Sequence, residues 1–78
     1  MKITITLTRS DQKRAYDIQV PYIQKIEDTL QVLKGNLPMF ADVPQVSYVE
    51  DADSGRKIDT QYTYEQAHIY SGATLLIP

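Results

Sequence analysis

The chain has 78 residues, with Lys+Arg 8, Asp+Glu 10, one His, no Cys, no Trp and a formal net charge of -2. Those numbers describe one small domain with 42% hydrophobic residues, too apolar for a disordered tail. They leave no disulfide framework or finger-type zinc site. No stretch approaches the ~18–20 apolar residues that span a bilayer. The N-terminus alternates rather than forming a continuous apolar signal core, so the expected compartment is the cytoplasm. The charge is asymmetric: residues 1–36 hold six basic and four acidic residues, and residues 37–78 hold two and six. An acidic total argues against nucleic acid as the main partner, although Lys2, Lys13 and Arg14 gather basic charge near the first hairpin.

Residues 2–8 alternate Ile3, Ile5 and Leu7 with Thr4, Thr6 and Thr8. This is the period-two pattern of a half-buried strand. A polar link over 9–13, with Ser10 and Asp11 suited to a turn, leads to a second alternation of Tyr16, Ile18 and Val20. The pair predicts a hairpin. Pro21 ends the second strand. Ile23, Ile26, Leu30 and Leu33 then recur at i, i+3, i+7 and i+10, one face of a helix running to Lys34. Glu27 and Asp28 near its start and Lys34 at its end suit the helix dipole, and Gly35-Asn36 predicts a left-handed stop.

Residues 37–44, with Pro38 and Pro44, read as a connector whose Phe40 or Met39 plugs one end of the core. Residues 45–50 predict a third strand, 51–55 a turn and 56–59 a short fourth strand. The segment 62–69 is too short for a stable helix and predicts a single turn with Thr63 as its N-cap. Residues 73–77 predict a closing strand, with Leu75 and Ile77 on one face and Thr74 and Leu76 on the other. The order β-β-α-β-β-β, with its last and most apolar strand in the middle of a mixed sheet and one helix across it, is an α+β roll, the ubiquitin-like β-grasp.

The residues that could carry chemistry read structurally. Counting a calcium loop from Asp51 puts Arg56 and Tyr62 where glycine and glutamate are required, so residues 51–55 read as a solvated turn. His68 has no Ser, Cys or second His beside it in sequence. Nothing in the spacing of Asp59 and Glu65 demands a carboxylate pair. No catalytic residue, metal site or cofactor is expected. Tyr16 shares the parity of Ile18 and reads as packing, whereas Tyr62, Tyr64 and Tyr70 cluster near the last turn, where exposed tyrosines would favour an interface.

The opening Ile3-Thr4-Ile5, the run Tyr16-Asp17-Ile18-Gln19-Val20-Pro21, the Ile/Leu helix and the ending Ile69-Tyr70-Ser71-Gly72-Ala73-Thr74-Leu75-Leu76-Ile77 together look like the YukD/EsaB family. These are small ubiquitin-like proteins associated with bacterial type VII secretion. The resemblance covers essentially the whole chain and rests mostly on fold-determining hydrophobic residues. It implies a non-catalytic cytosolic accessory protein that binds a protein component of the secretion machinery. It also implies that members are not conjugated to other proteins. The ending Leu75-Leu76-Ile77-Pro78 agrees with that expectation, because modifiers and sulfur carriers need a flexible Gly-Gly tail. The related sheet patch of ubiquitin points to partner contacts at Thr4, Tyr48, Val49 and Leu76, with Arg14 or Lys2 as rim charges. A sulfur-carrier-like or other enzyme-associated β-grasp protein is the alternative.

Overall fold

A computed structural model describes residues 1–11 and 13–78. Its first two strands, β1 (Lys2–Arg9) and β2 (Ala15–Pro21), form an antiparallel hairpin. The turn expected over 9–13 lies partly outside the described residues, which include Ser10 and Asp11 in turn conformation. The helix α1 (Ile26–Asn36) follows, then a short 3-10 segment (Pro38–Phe40), β3 (Tyr48–Asp51), β4 (Lys57–Asp59) and β5 (Thr74–Ile77). The sheet order is β2-β1-β5-β3-β4, with β5 parallel to β1 and antiparallel to β3. The chain's closing strand therefore lies in the middle of the sheet, as its apolar composition predicts.

One face of the sheet is sealed by the helix. Ile3, Ile5, Leu7, Val49, Ile58, Leu75 and Ile77 point inward and meet Ile26 and Leu33 from α1. Phe40 rather than Met39 is the plug. Its ring meets Tyr16 edge-on at 5.2 Å between centroids, which gives Tyr16 the packing role its parity implies.

The helix begins later than its apolar spacing suggests. Pro21 to Gln24 forms a turn closed by the Gln24 N–H on the Pro21 carbonyl, and Ile23 is 74% exposed in it. Lys25 is extended and bridges Thr63. The first helical amides, Ile26 and Glu27, donate to the carbonyls of Tyr62 and Thr60. Carbonyls from a distant loop thus satisfy donors that a side-chain cap would otherwise take. The expected left-handed stop is also absent: Gly35 and Asn36 are helical, and Leu37 follows in an extended conformation. Pro38 disfavours a helical residue before it, and Asn36 Nδ2 donates to the Val32 carbonyl at 2.7 Å.

The turn after β3 matches its sequence. Gly55 has φ of +74°, its N–H bonds the Asp51 carbonyl, and Asp51 Oδ1 accepts from the Asp53 and Ser54 amides. Residues 63–66 form a reciprocal cap, Gln66 N–H to Thr63 Oγ1 and Thr63 N–H to Gln66 Oε1, each at 3.0 Å. Tyr64, inside that turn, is buried and belongs to the core rather than to a surface tyrosine cluster. Tyr62 and Tyr70 are exposed.

Candidate functional site

The sheet face turned away from α1 is set by strand parity. Lys2, Thr4, Thr6 and Thr8 of β1 lie on it, and register places Asp17 beside Thr6 and Ala15 beside Thr8. On the other side Thr74 neighbours Thr6, and Leu76 neighbours Thr8. The row continues through Glu50, opposite Leu76, to Lys57, opposite Glu50. Tyr48 lies two residues before Glu50 on the same face, opposite Asp59.

Part of this surface is already satisfied within the chain. Thr6 Oγ1 donates to Asp17 Oδ1 at 2.6 Å. The Thr4 N–H donates to Ser71 Oγ at 3.1 Å. The region around Leu76 and Tyr48 is different in character. Leu76 is half-buried between Thr8 and Glu50, an apolar side chain in a polar row. The Lys57 ammonium sits 5.0 Å from the centre of the half-buried Tyr48 ring, a cation–π contact.

Of the residues the sequence proposes as partner contacts, Tyr48 and Leu76 share this outer surface. Val49 does not. It is 0% exposed, pairs with Ile58 and faces the helix, because a strand turns successive side chains to opposite faces. Its membership of the contact set is corrected on that ground. Thr4 is on the correct face but at the opposite end of the sheet, six residues of strand from Tyr48 by register, or ~20 Å at strand rise. Lys2 lies at that same end. Arg14 is exposed just before β2, on the far edge from Tyr48.

Parity also hides a residue that the sequence analysis overlooked. Arg9 is the fourth inward position after Ile3, Ile5 and Leu7, and it is only 5% exposed. Its guanidinium forks onto Asp11 (3.0 and 2.8 Å), reaches Asp42 Oδ1 at 2.8 Å and bonds the Met39 carbonyl at 3.0 Å. This ties the first hairpin to the connector after α1. It is a structural clamp, and the signal for it was an arginine in register with three core aliphatics.

His68 is exposed with φ of +56°. Its backbone N–H donates to the Glu65 carbonyl at 3.1 Å and closes a turn. Among the described residues no three His, Cys, Asp or Glu side chains converge as a metal site, and no helix is long and apolar enough to cross a membrane.

No family model matches the sequence, and no curated protein matches it either. Solved structures do match. The C-terminal ubiquitin-like domain of mouse tubulin-specific chaperone e is 18% identical with a TM-score of 0.70, over 97% of this chain and 84% of that one. The fold is the ubiquitin-like β-grasp. The ubiquitin-like domain of the Mycobacterium tuberculosis type VII secretion protein ECCD1 is 16% identical with a TM-score of 0.63, over 97% of this chain and 96% of that one. A chain of a toluene 4-monooxygenase complex is 6% identical with a TM-score of 0.71, over the full length of both. Proteins as different as these share the β-grasp, so the fold alone leaves the role to the surface.

Proposed function

We propose that this chain is a non-catalytic, cytoplasmic ubiquitin-like adaptor of a bacterial type VII secretion system, of the YukD/EsaB kind, acting by reversible binding to a protein of the secretion machinery. The observation that carries the reading is the outer sheet surface at Leu76 and Tyr48. It offers an apolar centre and an aromatic ring, bordered by Thr8, Glu50 and Lys57. Such a centre with a polar rim is the anatomy of a modest protein interface. The ECCD1 domain, from a type VII secretion protein, has the same fold over nearly all of both chains, in keeping with the family resemblance. Nucleic acid is not the partner in this reading, and no membrane insertion or cofactor enters it.

The test is the double variant Leu76→Asp with Tyr48→Ala. Both side chains lie on the outer face, so circular dichroism is expected to report an intact fold. Secretion through the system should fall. Unchanged secretion by a folded variant would remove the surface from the mechanism. Val49→Asp is unsuitable, because it would bury a carboxylate in the core.

The full-length likeness to a chain of the monooxygenase complex favours a second reading, an enzyme-associated β-grasp subunit. In that case the same variant would lower the activity of a co-purifying enzyme and leave secretion untouched.

A further inference from the structure

The chain has Tyr 6 and Cys 0, and its tyrosines differ in their surroundings. Tyr16 packs edge-on against Phe40. Tyr48 carries the Lys57 ammonium over its ring. Tyr64 is buried with its hydroxyl on Thr29, and Tyr62 is exposed. Tyr22 and Tyr70 face each other: their rings stack with centroids 6.4 Å apart and planes at 30°. Among the described residues no other two tyrosine rings are in contact.

Backbone bonds hold both members of the pair in place. Tyr22 directly follows β2, and its N–H donates to the Met1 carbonyl at 2.9 Å. Its carbonyl accepts from the Glu65 N–H, also at 2.9 Å. Tyr70 precedes β5, and its carbonyl accepts from the Ala73 N–H at 3.1 Å. The turn after it is pinned to β1, the Gly72 N–H donating to the Thr4 carbonyl and the Thr4 N–H to the Ser71 hydroxyl. Because β1 lies between β2 and β5, the two rings meet across the end of β1. Tyr22 is half-buried and Tyr70 is 62% exposed. Partial burial, then the nearby Tyr70 and Glu65, push the Tyr22 phenol up from its ordinary 10.0. At neutral pH Tyr22 therefore enters a reaction as the neutral phenol.

We propose that Tyr22 and Tyr70 form an oxidative cross-linking site, joined as an intramolecular dityrosine by a haem peroxidase acting with hydrogen peroxide. Each phenol gives up one electron and its hydroxyl proton. The two phenoxyl radicals couple through ring carbons ortho to oxygen, so that one C–C bond forms. The hydrogen on each coupled carbon then moves to the oxygen of its own ring and restores a phenol. Hydrogen peroxide takes up the two electrons and two protons and becomes water. The exposed Tyr70 ring supplies the movement that closes the stack to bonding distance. The product staples the end of β2 to the start of β5 and closes a loop of about 50 residues. It stabilises the fold as a disulfide does, by restricting the unfolded chain, in a sequence with no cysteine. The exposed Tyr62 has no ring partner among the described residues and couples only between molecules. The pair shares no residue with the Tyr48 and Leu76 surface, so it stands or falls independently of the adaptor reading.

The test treats the folded full chain, dilute, with a haem peroxidase and hydrogen peroxide. Met1 and Met39 are also exposed, so methionine sulfoxide reductase is applied before measurement to reverse their oxidation. The expected product runs as a monomer, shows dityrosine fluorescence, and is lighter by two hydrogen atoms, with fragment spectra placing the bond between Tyr22 and Tyr70. Tyr22→Phe and Tyr70→Phe should each abolish the monomeric product, and Tyr62→Phe should leave it intact. Tyr70 is exposed, so its variant keeps its fold, which circular dichroism checks for all three. The urea midpoint of the cross-linked chain should rise by at least about 0.5 M, and that of treated Tyr70→Phe should not. A bond mapped to another pair, product confined to cross-linked dimers, a full monomeric yield from either Tyr22→Phe or Tyr70→Phe, or an unchanged midpoint in the cross-linked chain would each overturn the proposal.

Discussion

Tyr64 donates its hydroxyl proton to Thr29 Oγ1 at 2.8 Å, and Thr29 Oγ1 in turn donates to Gln24 Oε1 at 2.6 Å. The relay joins three parts of the chain: the capped turn after β4, the buried side of α1, and the turn that precedes the helix. It solves a problem that the sequence creates by placing a threonine where an aliphatic residue would face the core. Thr29 is buried, and its hydroxyl both accepts and donates, so no lone polar group is left there. The same relay explains why Tyr64 could leave the surface: its phenol has a partner inside.

Alkali should therefore unfold this protein through Tyr64. Burial pushes the Tyr64 phenol up to about 12 from an ordinary 10.0. Above pH 10 the unfolded chain ionises this group while the folded chain keeps its proton. Stability is then fully present below pH 10 and falls as pH rises towards 12, by roughly 2–3 kcal/mol in all. Tyr64→Phe should lose about 1 kcal/mol at neutral pH from the missing hydrogen bond and show a flatter decline in alkali. Urea midpoints at pH 7 and across pH 10–12 distinguish the two. An unchanged alkaline slope in the variant would refute the assignment.

Acid should act through Asp42. The hydrogen bond from Arg9, and then its charge, hold the Asp42 carboxyl below its usual 3.8. A lowered carboxylate contributes stability that is present above the ordinary value and lost as pH falls through the depressed one. Asp42→Asn is expected to lower the urea midpoint at pH 7 and to reduce the further loss on acidification below about pH 4. An identical acid limb in the variant would place the sensitivity elsewhere. The Arg9 contacts on Asp11 and the Met39 carbonyl persist in this variant, so the fold should survive it.

Ile23 and Ile26 separate what periodicity can and cannot tell. Both fit one helical stripe, yet Ile26 is 1% exposed and Ile23 lies in the preceding turn. The difference is made by the carbonyls of Thr60 and Tyr62, more than thirty residues away in sequence, which no local pattern contains. Ile26→Ala should cost about 2–5 kcal/mol, and Ile23→Ala should fall within about 0.5 kcal/mol of the parent. Denaturant titration decides it, and similar losses at both positions would mean the helix starts earlier.

The same limit governs the candidate surface. Alternation in β1 and β5 put Thr4, Thr6, Thr8 and Leu76 outward correctly, because only one face of those strands is apolar enough to be a core. In the third strand expected over 45–50, of which only Tyr48 onward is strand, the run Val46-Ser47-Tyr48-Val49 has large apolar residues on both parities. Only the pairing of Val49 with Ile58 fixes its inward direction. The hairpin, the central closing strand and the Thr63 cap were legible because their signals are local or strongly apolar. The Arg9 clamp was not, since its partners Asp42 and the Met39 carbonyl come from a proline-flanked connector with no periodic pattern.

His68 and Gly55 make opposite demands on one region of backbone. Both have positive φ, +56° and +74°, but only Gly55 lacks the Cβ that makes this conformation costly. A Cβ added at Gly55 would meet no atom within 4 Å, so Gly55→Ala isolates the backbone effect and should destabilise by about 1 kcal/mol or somewhat more. At His68 the imidazole is exposed, and replacing it removes strain without opening a cavity. His68→Gly is expected to match the parent or exceed its stability by up to about 1 kcal/mol, the relieved strain being offset in part by the freer unfolded chain. Thermal unfolding of the two variants gives the comparison. A marked loss in His68→Gly would mean that the imidazole itself holds the turn, and the structural reading of that histidine would have to include its side chain.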